Sequence, residues 1–197
     1  MGCCASKDAA LQAVEWEGTF LICFSPAIKD DKDVVMTAIQ NSEYGEPLQY
    51  ASADLRGDKD FMLQAIQNSF GGAALRYASA DLQGDKDFVM EAIENTFDRH
   101  TFDGAVLQYA SADLRGDKDF MLQAIQNSFG GAALRYASAD LQGDKDFVMQ
   151  AVEQNPHALV HASPAMKDDK DVVLRAVAAD GWSLTHASER LRGDKEV

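Results

Sequence analysis

Tyr77-Ala-Ser-Ala-Asp-Leu-Gln-Gly-Asp-Lys-Asp-Phe-Val-Met-Glu-Ala-Ile93 is the stretch from which the rest of the chain can be read. Its opening Tyr-Ala-Ser-Ala-Asp-Leu starts at Tyr50, Tyr77, Tyr109 and Tyr136. Each copy runs, one residue later, into Gly-Asp-Lys-Asp and then into an apolar stretch such as Phe61-Met-Leu-Gln-Ala-Ile66. Degenerate copies extend the series both ways. Cys23-Phe-Ser-Pro-Ala-Ile-Lys-Asp-Asp-Lys32 lies before it; His161-Ala-Ser-Pro-Ala-Met-Lys-Asp-Asp-Lys170 and His186-Ala-Ser-Glu-Arg-Leu-Arg-Gly-Asp-Lys195 lie after it. Self-similarity at a fixed short period is the mark of a repeat architecture.

The marker lysines, Lys32, Lys59, Lys86, Lys118, Lys145, Lys170 and Lys195, are spaced by 27, 27, 32, 27, 25 and 25 residues, and Lys7 stands 25 before the first. The basic period is therefore 25, with two- and five-residue extensions in one loop, the longest falling near Asp98–Phe102. Residues 48–90 and 107–149 are identical. Those copies carry the weight of one, and the divergent repeats around Lys7, Lys32, Lys170 and Lys195 carry the rest. The expected organisation is a flexible lipidation segment over 1–6 and a single helical array over 7–197. That array comprises a half-repeat at 7–22, repeats starting near 23, 50, 77, 109, 136 and 161, and a truncated repeat from 186.

Each repeat reads as two short helices. In the first, Leu75, Ala78 and Leu82 recur at i, i+3 and i+7 as one apolar stripe. Gly84 then supplies a residue free to take the left-handed conformation that ends a helix; Asp30 and Asp168 replace it in two repeats, and Asp tolerates that conformation better than most residues. Asp85 can cap the next helix, and Asp87 adds negative charge to its first turn. Phe88, Val89, Ala92 and Ile93 form the second apolar face, and Gly71-Gly72 returns the chain to the next first helix. Isolated helices shorter than ~12–15 residues are marginal in water, so these must stack and bury their faces on neighbours. The fold class is thus all-α, a solenoid-like array of two-helix repeats. The period is not that of ankyrin or tetratricopeptide repeats, and the strand signature of leucine-rich repeats is missing.

The combined pattern resembles the family known as domain of unknown function 4116. Tyr50-Ala-Ser, Asp58-Lys59-Asp60, Asp169-Lys170-Asp171-Val-Val-Leu-Arg-Ala-Val177 and Gly181-Trp-Ser-Leu carry the resemblance, over nearly everything from Lys7 to Val197. It implies tandem arrays and adds little chemistry.

Apolar residues are 46 % of the 197 and charged ones 25 %, the profile of a folded chain. The net charge of −14, from 32 acidic and 18 basic residues, repels phosphate backbones and argues against nucleic acid. A protein partner is expected to be basic. No apolar run approaches the ~20 residues that span a bilayer, and the first residues lack a signal-peptide plan. Cys3, Cys4 and Cys23 make neither a disulfide nor a zinc framework, which suits a reducing, intracellular address.

The repeated Asp-Lys pairs are Asp31–Lys32, Asp58–Lys59, Asp85–Lys86, Asp117–Lys118, Asp144–Lys145 and Asp169–Lys170. Read as calcium ligands they fit poorly, because an EF-hand loop needs an inner glycine and a glutamate at its twelfth position. From Asp85 the glycine precedes the run and the twelfth residue is Thr96. Helix stop followed by helix cap accounts for every residue except the lysine, whose charge opposes the dipole of the helix it begins. Each lysine is expected to pair with an aspartate of its own or a neighbouring repeat, as a ladder along one ridge. The alternative is a solvated lysine whose stem covers apolar surface.

The position of Tyr50, Tyr77, Tyr109 and Tyr136, which becomes His161, His186 or Cys23, suits a half-buried side chain with a polar tip. His161 and His186 lack a third ligand for zinc, so no metal, cofactor or catalytic residue is assigned. No nucleophile elbow, Walker loop, zinc-protease helix or kinase signature occurs. Trp182 aligns with Ala73 and is expected to fill a cap. The exception to repetition is Met1-Gly-Cys-Cys-Ala-Ser6-Lys7, which matches an N-myristoylation pattern at Gly2 with Cys3 and Cys4 as palmitoylation candidates. The expectation is a non-enzymatic scaffold or adaptor, peripheral on the cytoplasmic face of a membrane. A protein that binds divalent cations through its aspartate loops is the alternative.

Overall fold

The computed structural model describes residues 6–96 and 105–196, with no strand among them. The chain forms two compact halves, Met1–Thr101 and Phe102–Val197. The expected lipidation residues Gly2, Cys3 and Cys4 and the long extension at Asp98–Phe102 lie outside the described residues.

Both halves are built from one three-part motif. A 3-10 turn comes first, at Gly18–Cys23, Glu46–Tyr50 and Phe70–Tyr77 in the first half, and at Ala105–Tyr109, Phe129–Tyr136, Pro156–His161 and Gly181–His186 in the second. A short α-helix follows: Pro26–Lys29, Ala53–Gly57 and Ala80–Gln83, then Ala112–Gly116, Ala139–Gly143, Pro164–Lys167 and Glu189–Arg192. A longer α-helix completes the motif: Lys32–Gln40, Lys59–Gln67 and Lys86–Thr96, then Lys118–Asn127, Lys145–Gln154 and Lys170–Ala179, with Lys7–Trp16 standing before the first turn.

The array is all-α, but its first element is not the single helix that the Leu75, Ala78, Leu82 stripe implies. All three side chains are buried, yet the chain is extended at Ala78 (φ −60°, ψ 158°) and at Ser79 (φ −60°, ψ 154°) between them. Ser79 is the reason. Its hydroxyl accepts the Leu82 N–H at 3.4 Å and so starts a new helix. Ser52, Ser111, Ser138, Ser163 and Ser188 do the same. In two repeats Pro26 and Pro164 follow the serine, where a missing N–H costs nothing.

Gly84 is likewise not left-handed. It sits at φ −100°, ψ −4°, as Asp30 (φ −102°) and Asp168 (φ −103°) do, because the short helix closes with a tight right-handed turn. That conformation is open to any residue, which explains why aspartate substitutes freely. Positive φ occurs instead at Gly45, just before the Glu46–Tyr50 turn, and at Gly71, Gly72 and Gly131, near the starts of Phe70–Tyr77 and Phe129–Tyr136.

The core runs through the long helices. Phe88, Val89, Ala92 and Ile93 are buried as their spacing requires, and so are Phe61, Met62, Ala65 and Ile66 one repeat earlier. Successive 3-10 turns stack closely because one residue of each is small. A Cβ on Gly131 would lie 2.6 Å from the Ala158 Cβ of the next turn, and one on Gly45 would lie 3.3 Å from that of Ala74. In the last turn Ser183 replaces the alanine, is fully buried, and donates its hydroxyl to the Pro156 carbonyl at 3.2 Å.

Candidate functional site

Each long helix begins at its marker lysine and is capped by the aspartate before it. Asp58 Oδ1 accepts from Phe61 N–H at 3.0 Å, Asp85 Oδ1 from Phe88 N–H at 3.0 Å, and Asp117 Oδ1 from Phe120 N–H at 2.9 Å. Asp144 Oδ1 takes Phe147 N–H at 3.0 Å, while Asp31 and Asp169 each take two amides. The lysine does not stay at its own helix start. Lys32 Nζ reaches forward 26 residues to Asp58 Oδ2 at 2.5 Å, and Lys59 Nζ reaches Asp85 Oδ2 at 2.5 Å. Lys7 meets Asp31 at 2.9 Å and Asp33 at 2.6 Å; Lys145 meets Asp169 at 2.9 Å and Asp171 at 2.6 Å. Lys170 meets Asp194 at 3.1 Å and Glu196 at 2.6 Å.

One carboxylate thus serves two repeats: at Asp58, Asp85 and Asp169 one oxygen caps its own helix and the other receives the lysine of the repeat before, while at Asp31 Oδ1 does both. Lys118 is the departure, since among the described residues neither it nor Asp144 takes part in such a pair, although Asp144 still caps. The Lys32 ammonium and then the Phe61 amide hold Asp58 below the usual carboxylate range, and Lys59 and the Phe88 amide do the same for Asp85. Reciprocally, Asp58 and Asp85 raise Lys32 and Lys59.

A second inter-repeat seam runs beside this one. Ser52 N–H donates to the Lys29 carbonyl at 3.0 Å, Ser79 to Arg56 at 2.8 Å, Ser138 to Arg115 at 2.8 Å, and Ser188 to Lys167 at 2.9 Å. Where the helix ends in aspartate, the serine hydroxyl also donates to it: Ser52 to Asp30 at 2.5 Å, and Ser188 to Asp168. Gln83 and Gln142 each donate to two carbonyls of the preceding turn and to that of the alanine just after it, Ala78 or Ala137. Reading the serines as part of an apolar helix hid this seam; serine followed by proline was the available signal.

The tyrosines at 50, 77, 109 and 136 are half-buried, as are His161 and His186, whereas Cys23 is exposed. The Arg76 guanidinium lies 5.8 Å from the centre of the Tyr77 ring and that of Arg135 5.9 Å from Tyr136. Burial holds the His186 imidazole below its usual pKa, helped by Lys167 and His157. Trp182 does not fill a cap: it is 67 % exposed, whereas Ala73, with which it aligns, is buried. The N-terminal motif enters the described residues only at Ser6, whose hydroxyl caps Lys7–Trp16 through Ala9 N–H at 3.3 Å. No described helix is long and apolar enough to cross a membrane. Among the described residues no three His, Cys, Asp or Glu side chains are grouped to hold a metal ion.

A family model, Domain of unknown function (DUF4116), matches residues 6–56, 58–98, 128–167 and 169–197, so that the match recurs along the chain. The chain belongs to the DUF4116 family. No curated protein and no solved structure matches it. The four DUF4116 matches abut at Arg56–Asp58 and at Lys167–Asp169, the ends of short helices, where each caps off before the next aspartate.

Proposed function

We propose that this DUF4116 chain is a non-catalytic scaffold, tethered to the cytoplasmic face of a membrane, whose helical repeats present a surface for protein–protein interaction. The observation that carries it is where the polar residues go. The aspartates cap and receive lysines, the serines cap and stitch, and the same assignments recur repeat after repeat. An active site is one asymmetric constellation of unlike groups. These groups instead hold a stack together, which leaves the outward faces for binding, as in other repeat arrays. The rival reading, divalent cations bound in the aspartate loops, would need carboxylates that are already engaged in caps and ion pairs. Calorimetry against calcium separates the two: the scaffold predicts no stoichiometric heat, and a titration with one ion per repeat would displace it. Proximity labelling in cells tests for protein neighbours.

The tether rests on Gly2, Cys3 and Cys4. Myristate alone gives marginal, reversible attachment, and stable residence takes a second signal. A polybasic patch cannot supply it here, since Lys7 is followed by Asp8 and the chain carries −14. The second signal is therefore acylation of Cys3 or Cys4. Gly2→Ala should abolish attachment, and Cys3→Ser with Cys4→Ser should leave a myristoylated, weakly bound protein. Fractionation with mass analysis of the N-terminal peptide checks both; a parent chain without lipid mass and off the membrane removes the tether.

A further inference from the structure

The 27-residue repeats differ from the 25-residue ones by two residues in the loop between the long helix and the next 3-10 turn. Insertions of this kind collect on one face of a repeat array, often the binding face. In the first half the added length carries an aromatic residue each time: Tyr44 in Ser42-Glu-Tyr-Gly-Glu46, and Phe70 in Ser69-Phe-Gly-Gly72. Neither is taken into the core. Tyr44 is 45 % exposed and Phe70 58 %, although burying them would favour folding.

The two loops are nevertheless joined. Phe70 N–H donates to the Glu43 carbonyl at 2.8 Å, and the rings meet edge to face with centroids 5.9 Å apart and an interplanar angle of 80°. Two carboxylates stand beside them. Glu46 Oε2 accepts the Tyr44 N–H at 3.3 Å, and Glu43, the residue before Tyr44, is itself exposed.

An exposed aromatic pair with two carboxylates at its rim is complementary to one kind of group. Ring faces attract cations, carboxylates pair with them, and a guanidinium does both, stacking flat and donating in a fork. An anionic lipid surface would meet Glu43 and Glu46 as like charges. We propose that Tyr44, Phe70, Glu43 and Glu46 form a docking site for an arginine-bearing basic segment of a partner protein. The site gives the scaffold reading above, on which it rests, a location and a partner chemistry.

Fluorescence anisotropy of the full chain with a labelled peptide of alternating arginine and glycine tests it. The parent chain binds, and Tyr44→Ala with Phe70→Ala weakens binding about tenfold or more, the loss expected of a hot spot. Tyr44→Leu with Phe70→Leu, which keeps the apolar bulk and removes the rings, shows the same loss. Glu43→Gln with Glu46→Gln weakens binding and flattens its dependence on salt. Asp54→Asn with Asp81→Asn, an equal charge change on exposed short-helix positions, stays within about twofold of the parent. No binding by the parent, parent-like binding by the leucine variant, or an equal loss in the Asp54/Asp81 control overturns the site. So does a preference for anionic phosphatidylserine vesicles over the peptide. These outcomes concern the site alone, because the calcium titration and the proximity labelling judge the scaffold without it.

Discussion

Asp58 has different partners on its two oxygens, Phe61 N–H on Oδ1 and Lys32 Nζ on Oδ2, so two conservative changes dissect it. Asp58→Ala removes both and should cost about 1 kcal/mol, within the ~0.5–2 kcal/mol range of lost N-caps. Asp58→Asn keeps a capping oxygen and loses only a largely exposed ion pair, a loss of roughly 0–1 kcal/mol. Urea denaturation of the two variants ranks them, and an Asn variant as weak as the Ala variant would put the stabilisation in the ion pair.

The same groups fix the pH response. Asp58 and Asp85 titrate below their usual value in the folded state, so their contribution is present above the ordinary carboxylate pKa and is lost as pH falls through the folded one. Lys32 and Lys59 titrate above 10.5, so theirs is complete below 10.5 and is lost as pH rises through the folded value. Thermal stability should fall at both ends, with Lys32→Met and Lys59→Met removing part of the alkaline fall. An unchanged alkaline limb in that double variant would show that the ladder is not its origin. The cap was legible in the sequence because it is local. The lysine's partner was not, because it lies 26 residues away and only the register of the stack decides which carboxylate it meets.

At the scale of the element, the long helices were legible and the break before the short ones was not. Phe88, Val89, Ala92 and Ile93 advertise one helical face and occupy it. Leu75, Ala78 and Leu82 share a burial pattern with a helix, but burial comes from the seam between repeats, and the Ser79 cap interrupts the backbone. Periodicity reports which side chains are inside; it does not report the hydrogen bonds that join them. Glycine shows the same limit. Gly84, placed by its position to be a left-handed stop, sits at φ −100°, whereas Gly131 holds the positive φ of 66° and has Ala158 against it. Gly131→Ala should therefore destabilise by more than about 1 kcal/mol, through backbone strain and a clash with the next turn. Gly143→Ala meets nothing within 4 Å and ends a short helix, so it should be neutral or stabilise by up to about 1 kcal/mol. Thermal melts of the pair check the contrast, and an equal effect would contradict the stacking of the 3-10 turns.

For the molecule as a whole, the repeats are the organising fact: the Lys-to-Lys period, the caps and the serine seam all carry the same register. Stability in such an array is a sum of repeat and nearest-neighbour terms. Removing one full period should therefore reconnect equivalent positions, whereas removing part of one should not. Deleting Tyr50 to Arg76 joins Gln49 to Tyr77 and places Asp85 where Asp58 had been, within reach of Lys32. Deleting Tyr50 to Leu63 removes the Asp58 cap and half of the Lys59–Gln67 helix, which packs against Lys32–Gln40. The decisive measurement is the helical circular dichroism and monodispersity of these two deletions beside the parent. The full-period deletion should stay helical, monodisperse and slightly less stable, and the partial one should aggregate; equal tolerance of both would contradict the repeat architecture.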